Sequence, residues 1–168
     1  MDEAGSRVTV LIVEVFVLLV LANGIPVVAN KLLGRRFAWP VDGGISFIDG
    51  RPLFGASKTW RGLVLAVLAA TIGALPMGIP CQVGALLGFT SMCGDLSSSF
   101  IKRRMNLPPS TRATGLDQIP ETLLPLLACQ PMLGLTVTDI VVVMVLFLVG
   151  DIVFSPLFYK LRIRKRPY

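Results

Sequence analysis

The sequence predicts an all-α polytopic membrane protein with five transmembrane helices, its N-terminus outside and its C-terminus in the cytoplasm. Three observations carry this. The chain of 168 residues is 54% hydrophobic and has a mean hydropathy of +0.75, far from the composition of a soluble domain. Its apolar residues gather in three long runs, one sized for a single span and two sized for a hairpin of spans, a span needing about 20 residues. Of its 16 lysines and arginines, all but Arg7 fall on one face once five helices are drawn.

The first run gives a helix over about 8–30. The segment before it, Met1 to Arg7, has no basic n-region, and no small-residue cleavage site follows, so this helix reads as a retained anchor. The second run is twice one span and is interrupted by Pro76-Met-Gly-Ile-Pro80, a turn cluster that divides it into helices over 62–77 and 80–101. The third run is divided at Gln130-Pro131 and Gly134 into helices over 118–132 and 136–160. Residues 1–168 thus form a single membrane domain with two large loops, 31–61 and 102–116.

Charge orients this frame. The two loops and the tail hold Lys31, Arg35, Arg36, Arg51, Lys58, Arg61, Lys102, Arg103, Arg104, Arg112, Lys160, Arg162, Arg164, Lys165 and Arg166. The positive-inside rule places them in the cytoplasm, in a multi-pass protein of the cell membrane whose chemistry sits on the cytoplasmic face. A missed or extra helix would scatter the same charges over both faces.

Composition also excludes. With no histidine, a His general base or His-ligated metal is ruled out. Cys81, Cys93 and Cys129 show no CxxC or Cys/His spacing, so neither disulfides nor zinc are expected. The basic balance of +6 carries no aromatic-and-basic RNA-binding motif, so nucleic acid is not an expected partner.

Three polar elements converge on the cytoplasmic face. The first is Asp49-Gly-Arg-Pro-Leu-Phe-Gly-Ala-Ser-Lys-Thr-Trp-Arg-Gly62, preceded by Asp42-Gly-Gly44. Its glycines let backbone N–H groups approach an anion, and Arg51, Lys58 and Arg61 bring opposite charge. Lys58, with Gly55 and Ser57 before it and Thr59 after it, is the leading phosphate ligand, although the spacing of a complete P-loop is absent. For Arg51 and Arg61 the competing reading is interfacial anchoring, and Trp60 suits an aromatic belt. The second element is Gly94-Asp95-Leu-Ser-Ser-Ser-Phe-Ile-Lys-Arg-Arg104, and the third is Gly115-Leu-Asp117-Gln-Ile-Pro-Glu121.

Asp95 and Asp117 form the expected metal pair, because Mg²⁺ at a nucleotide takes one or two carboxylates plus phosphate oxygens and water. The competing reading of Asp117 is a helix N-cap before Pro120, and that of Asp95 an ion pair with a neighbouring cation. Lys102 and Arg103 read as phosphate ligands or as charges marking a helix end; Arg104 and the tail fit the anchor reading. Gly84-x-x-x-Gly88 reads as helix packing. Asn23 and Asn30, near Pro26, make the end of the first helix polar enough to line a lipid-headgroup cleft, as do Asp151 and Ser155 in the last.

Ser99-Phe-Ile-Lys102-Arg103 resembles the S-x-x-K-R core of the membrane-bound CTP:phosphatidate cytidylyltransferases, and Asp117 resembles the first aspartate of their D-R-x-D element. Gln118 and Pro120 stand where that element has its Arg and second Asp, and no HGG stretch is present. The chain is more similar to the compact archaeal branch, the CDP-archaeol synthases. The likeness lies in the D-G-x-P-x-x-G-x-x-K-T-W-R-G loop from Asp49 to Gly62, in G-D-x-x-x-S-F-I-K-R-R from Gly94 to Arg104, and in D-Q-x-P from Asp117 to Pro120.

The resemblance implies a nucleotidyltransferase of phospholipid biosynthesis. It would form CDP-archaeol and pyrophosphate from CTP and digeranylgeranylglyceryl phosphate, an isoprenoid ether lipid phosphate, with Mg²⁺. It implies Lys58, Arg61, Lys102 and Arg103 on the triphosphate and Asp95 and Asp117 on the metal. Asp49, Gly50, Arg51, Gly55, Ser57, Lys58, Thr59 and Trp60 would bind the nucleotide, with loop 42–55 on cytosine and ribose. Asn23, Asn30 and Ser99 would meet the lipid substrate. The same chemistry on phosphatidic acid, a non-enzymatic protein that binds or flips anionic lipids, and a lipid-phosphate kinase or phosphatase are the alternatives.

Overall fold

A computed structural model describes residues 3–108, 111, 113 and 115–160, without the side chains of 3–4 and 154–160. Arg112 and the tail residues Arg162, Arg164, Lys165 and Arg166 lie outside the described residues. The described chain is all-helical: α1 (Glu3–Leu33), α2 (Trp60–Ala74), a 3₁₀ turn (Leu75–Met77), α3 (Cys81–Arg104), α4 (Gln118–Leu133) and α5 (Val137–Lys160). Among the described residues the extended backbone amounts to two isolated bridges, Pro40 to Thr59 and Ser46 to Pro52.

Each boundary has a local cause. Thr59 has extended backbone and its hydroxyl accepts the Gly62 N–H, capping α2. Gly78 takes a left-handed conformation after the 3₁₀ turn, and Pro80 precedes α3. Gly134, also left-handed, ends α4 and donates to the Gln130 carbonyl. Thr136 and Asp139 cap α5 reciprocally: the Thr136 N–H bonds the Asp139 carboxylate and the Asp139 N–H bonds the Thr136 hydroxyl.

The break expected at Gln130-Pro131 and Gly134 falls at Gly134, and α4 runs through both Pro125 and Pro131 to Leu133. A proline removes one backbone donor and crowds one turn, and packing against neighbouring helices can hold the helix through it. Two helical segments, Gly5–Leu33 with mean hydropathy 2.5 and Trp60–Met77 with 1.6, are long and apolar enough by themselves to cross a membrane. At 16 residues α4 is about 24 Å long, short of the ~30 Å hydrocarbon core.

α3 packs against α4, α2 and α1, and α5 closes the bundle against α4 and α1. The core comprises Val15, Leu18, Leu19 and Ala22 of α1, Ala70 and Ala74 of α2, Val83 and Leu87 of α3, Leu126 and Cys129 of α4, and Ile140, Val143 and Phe147 of α5. Small residues set the spacing. A Cβ on Gly84 would come within 2.7 Å of the Ala70 carbonyl, and one on Gly88 within 2.9 Å of Val67 Cα, so GxxxG is the α2–α3 contact. A Cβ on Gly94 would overlap the Pro120 carbonyl and stand 2.7 Å from the Glu121 nitrogen. That close approach draws the ends of α3 and α4 together.

Candidate active site

Where α3 and α4 converge, charged groups from three segments meet. Lys58, just before α2, places its ammonium 2.5 Å from both carboxylate oxygens of Asp95 on α3. Burial alone would lower the Lys58 pKa, but the charge and hydrogen bonds of Asp95 outweigh it and hold the group above its ordinary value of 10.5. Lys102, seven residues after Asp95 and therefore on nearly the same helix face, sets Nζ 2.6 Å from Asp117 Oδ1. It also donates to the Thr111 carbonyl at 3.1 Å. Glu121, one turn into α4, lies close enough to Asp95 to interact with its carboxyl and within the fields of Lys58 and Asp117.

The cluster therefore holds three carboxylates and two lysines, and Lys102 is only 6% exposed. Glu121 belongs to it although the sequence assigns it no role beyond closing the third polar element. The available signal was spacing, since Asp117 and Glu121 stand at i and i+4 and share one helix face. Asp117 stands at the first position before α4, but its backbone is already helical and its side chain caps no helix N–H. Oδ2 instead accepts the Ala113 N–H at 3.0 Å, tying the preceding turn to the helix. Behind it, Gln118 donates to Asp151 of α5 at 2.6 Å and accepts from the Gly115 N–H at 2.7 Å. Asp151 thus serves the α4–α5 joint, not a lipid-lining face.

Arg103 points elsewhere on α3. It is 4% exposed, and its Nη2 donates to the Pro108 carbonyl at 3.0 Å. Its Nε and Nη1 have no hydrogen-bond partner among the described residues. It lines a cavity of about 270 Å³ with Arg51, Pro52, Asn106, Leu107 and Pro108. A buried guanidinium with unused donors is a costly arrangement unless an anion completes it.

Several expected ligands are engaged in holding the 34–59 loop. Arg51 donates to the carbonyls of Arg103 and Arg104 at the end of α3. Asp49 accepts the Arg51 N–H at 3.1 Å and pairs with Arg104 at 2.6 Å, while Gly50 supplies a left-handed turn residue. Arg104 donates to the carbonyls of Arg51 and Pro52 and lies over the rings of Phe47 and Phe100, 4.8 and 4.9 Å from their centroids. The anchor reading of Arg104 is corrected: it clasps the loop to α3. Asp42, unremarked as a ligand, is 5% exposed. It accepts N–H bonds from Gly44, Phe54 and Gly55.

The expectation for Arg61 is also corrected. Its guanidinium turns to the C-terminal end of α1, donating to the carbonyls of Gly34 and Arg36 and to Asn30 Oδ1. That commits Asn30 as well. Asn23 donates inward to the Leu19 carbonyl and to Ser91, so its amide serves the bundle interior. Ser99 is buried, Ser57 and Trp60 are exposed, and the Thr59 hydroxyl caps α2. Lys58, Lys102, Asp95 and Asp117 are brought together; Arg61, Asp49, Arg51, Asn23 and Asn30 are not.

Among the described residues no preformed group of three or more ligands closes around a metal. The donors that do converge are all oxygen, which suits a hard divalent cation completed by phosphate and water.

A profile of the CarS-like CDP-archaeol synthases matches residues 8–168. The CDP-archaeol synthase of Thermococcus onnurineus is 41% identical over 109 residues, covering 58% of this chain and 61% of that protein. The one of Pyrococcus furiosus is 43% identical over 89 residues, 47% of this chain and 53% of its own length. These two are spanned over less than two thirds of their length. The synthase of Pyrobaculum calidifontis is 32% identical over 165 residues, 94% of this chain and 98% of that protein. Among solved structures, an intramembrane enzyme for archaeal membrane lipid biosynthesis is similar with a TM-score of 0.64 and 27% identity, over 82% of this chain and 90% of that one.

Proposed function

The chain belongs to the CDP-archaeol synthase family, and from that membership we propose that it makes CDP-archaeol from CTP and digeranylgeranylglyceryl phosphate. An oxygen of the lipid phosphate attacks the α-phosphorus of CTP. The bond from that phosphorus to the bridging oxygen of the β-phosphate breaks, and pyrophosphate leaves with the electron pair. A phosphate monoester is already anionic at neutral pH, so no protein base or covalent nucleophile is required and the absence of histidine is no handicap. What remains for the protein is in-line positioning and charge neutralisation.

The observation that carries this reading is the cluster in which Lys58 meets Asp95 and Lys102 meets Asp117. Lysines paired to carboxylates are held in place and become available to phosphate once the carboxylates find another cation. We assign Asp95, Asp117 and Glu121 to Mg²⁺, which their all-oxygen donor set fits. When bound, the ion would neutralise phosphate charge and orient the triphosphate. Lys58 and Lys102 then hold phosphate oxygens, and Arg103 takes the pyrophosphate end with its unused Nε and Nη1 donors. Asp49, Gly50, Arg51, Gly55 and Arg61 form and brace the wall against which the nucleoside lies, next to exposed Ser57 and Trp60.

We further assign five membrane spans with the N-terminus outside and this cluster on the cytoplasmic face, supported by the one-sided distribution of lysine and arginine. The lipid reaches the cluster laterally between helices. Purified protein with labelled CTP, Mg²⁺ and either digeranylgeranylglyceryl phosphate or phosphatidic acid tests the activity. CDP-archaeol is expected as product; formation of CDP-diacylglycerol alone would move the substrate to acyl lipids, and no CDP-lipid from either sinks the reading. A Ser57→Cys variant lacking the native cysteines should label only from the cytoplasmic side, and labelling from outside overturns the topology.

A further inference from the structure

α4 carries Pro125 in its interior. Proline has no N–H, so the carbonyl four residues earlier, that of Glu121, loses its helical donor. Both Pro125 and Ser91 are fully buried. Ser91, on α3, donates its hydroxyl to that same Glu121 carbonyl at 3.0 Å. The hydroxyl oxygen in turn accepts the Asn23 amide of α1 at 3.0 Å, and the Asn23 amide is fixed by the Leu19 carbonyl of its own helix. Gly94, one turn after Ser91, presses on the Pro120–Glu121 peptide.

We propose that Ser91 is a positioning residue: the proline frees the Glu121 carbonyl, and the Asn23–Ser91 relay captures it to fix Glu121 in the acidic cluster. The local bond a helix would normally make at this peptide is replaced by one made across the bundle. The backbone that bears a site carboxylate is thereby referenced to α1 and α3 instead of to its own next turn. Without the proline the same carbonyl would bond within α4 and the serine would have nothing to hold. Asn23 orients the hydroxyl by occupying its acceptor side, leaving its proton for Glu121. This rests on the assignment of Glu121 to the site above, and the test separates the two.

The variants Ser91→Ala, Pro125→Ala, their double and Glu121→Gln are compared in detergent. Turnover, KM for CTP, Mn²⁺ binding followed by loss of the free-ion EPR signal, and thermal unfolding are recorded for each. Ser91→Ala is expected to lower kcat and Mn²⁺ affinity about tenfold, the scale of outer-shell support for a metal ligand, with KM for CTP changed less than about twofold. In the Pro125→Ala background residue 125 regains an N–H, so adding Ser91→Ala should lose less than about threefold in affinity. Equal losses in both backgrounds overturn the proposal, as does a folded Ser91→Ala with wild-type kcat and Mn²⁺ affinity. If Ser91→Ala does not fold, the same coupling is read from unfolding of Asn23→Ala with and without Pro125→Ala, and strict additivity overturns it. If Glu121→Gln keeps wild-type Mn²⁺ binding and turnover, the site assignment itself falls; if it loses both while Ser91→Ala loses neither, only the positioning role falls.

Discussion

Asp95 and Asp49 are both aspartates in the motifs that mark this chain, and each is paired with a cation, yet their surroundings differ. Asp95 lies within the bundle facing Lys58, with Glu121 and Asp117 close by, so negative charges crowd and the lysines divide among them. Asp49 lies on the loop surface facing Arg104, whose Nη2 donates to two backbone carbonyls and whose plane lies against two aromatic rings. In the clasp the carboxylate and the Nη donors of Arg104 already have fixed partners within the protein, and only its Nε is without one among the described residues. The α3–α4 cluster is complete only as pairs of opposite charge that an incoming cation and polyanion can re-partner together. A site for phosphate transfer needs the second arrangement, and a scaffold needs the first.

The comparison breaks most directly at its charged centre. Asp95→Asn and Asp117→Asn should each reduce CDP-lipid formation about 100-fold or more, the scale seen when transition-state charge stabilisation is removed, with helicity retained by circular dichroism. Lys58→Met and Lys102→Met should lose a similar factor in kcat, since each removes one phosphate ligand and leaves one carboxylate unpaired. Near-normal turnover in both aspartate variants would mean that the cluster is a structural ion-pair lattice like the clasp.

Which of these groups is which was only partly legible in the sequence. Length and hydropathy set the helices, and the Pro76–Pro80 and Gly134 turns set their joints, because those signals are local. Lys102 and Asp95 were readable as one face by helical spacing. The fates of Arg61, Arg51 and Arg104 were not, because an arginine beside a helix end can donate equally to phosphate, headgroup or carbonyl. The choice depends on where a loop of about 25 residues turns back, which no local signal specifies. Glu121 escaped for a related reason: its approach to Asp95 is created by Gly94 on another helix.

The clasp is the next place to press. Arg104→Ala removes charge-assisted bonds to the Arg51 and Pro52 carbonyls and the pair with Asp49. It should destabilise the loop by about 2 kcal/mol and raise KM for CTP about tenfold while leaving kcat within about twofold. Thermal unfolding and a CTP titration read the two effects separately. A fall in kcat on the scale of Asp95→Asn would erase the distinction between scaffold and site.

The smallest effect is expected at Asp42, which holds the loop from inside. Burial pushes its pKa up, but the N–H bonds from Phe54, Gly55 and Gly44 outweigh that and hold it below the ordinary 3.8. The sign follows: a carboxylate whose pKa is lower folded than unfolded stabilises the fold above about pH 4, and the gain is lost as pH falls through the folded value. Asp42→Asn loses at least one acceptor whichever way the amide turns, because Oδ1 serves Gly44 and Oδ2 serves Phe54 and Gly55. A loss of about 1–2 kcal/mol at neutral pH is expected, with turnover changed less than about threefold. Unfolding midpoints of the two proteins should converge as pH falls below 3.8 and through the lower folded value, where Asp42 becomes protonated and loses the same charge-assisted bonds. A difference that persists unchanged into acid would show that Asp42 acts by shape and not by charge. It would then join neither the site nor the clasp in the way argued for them.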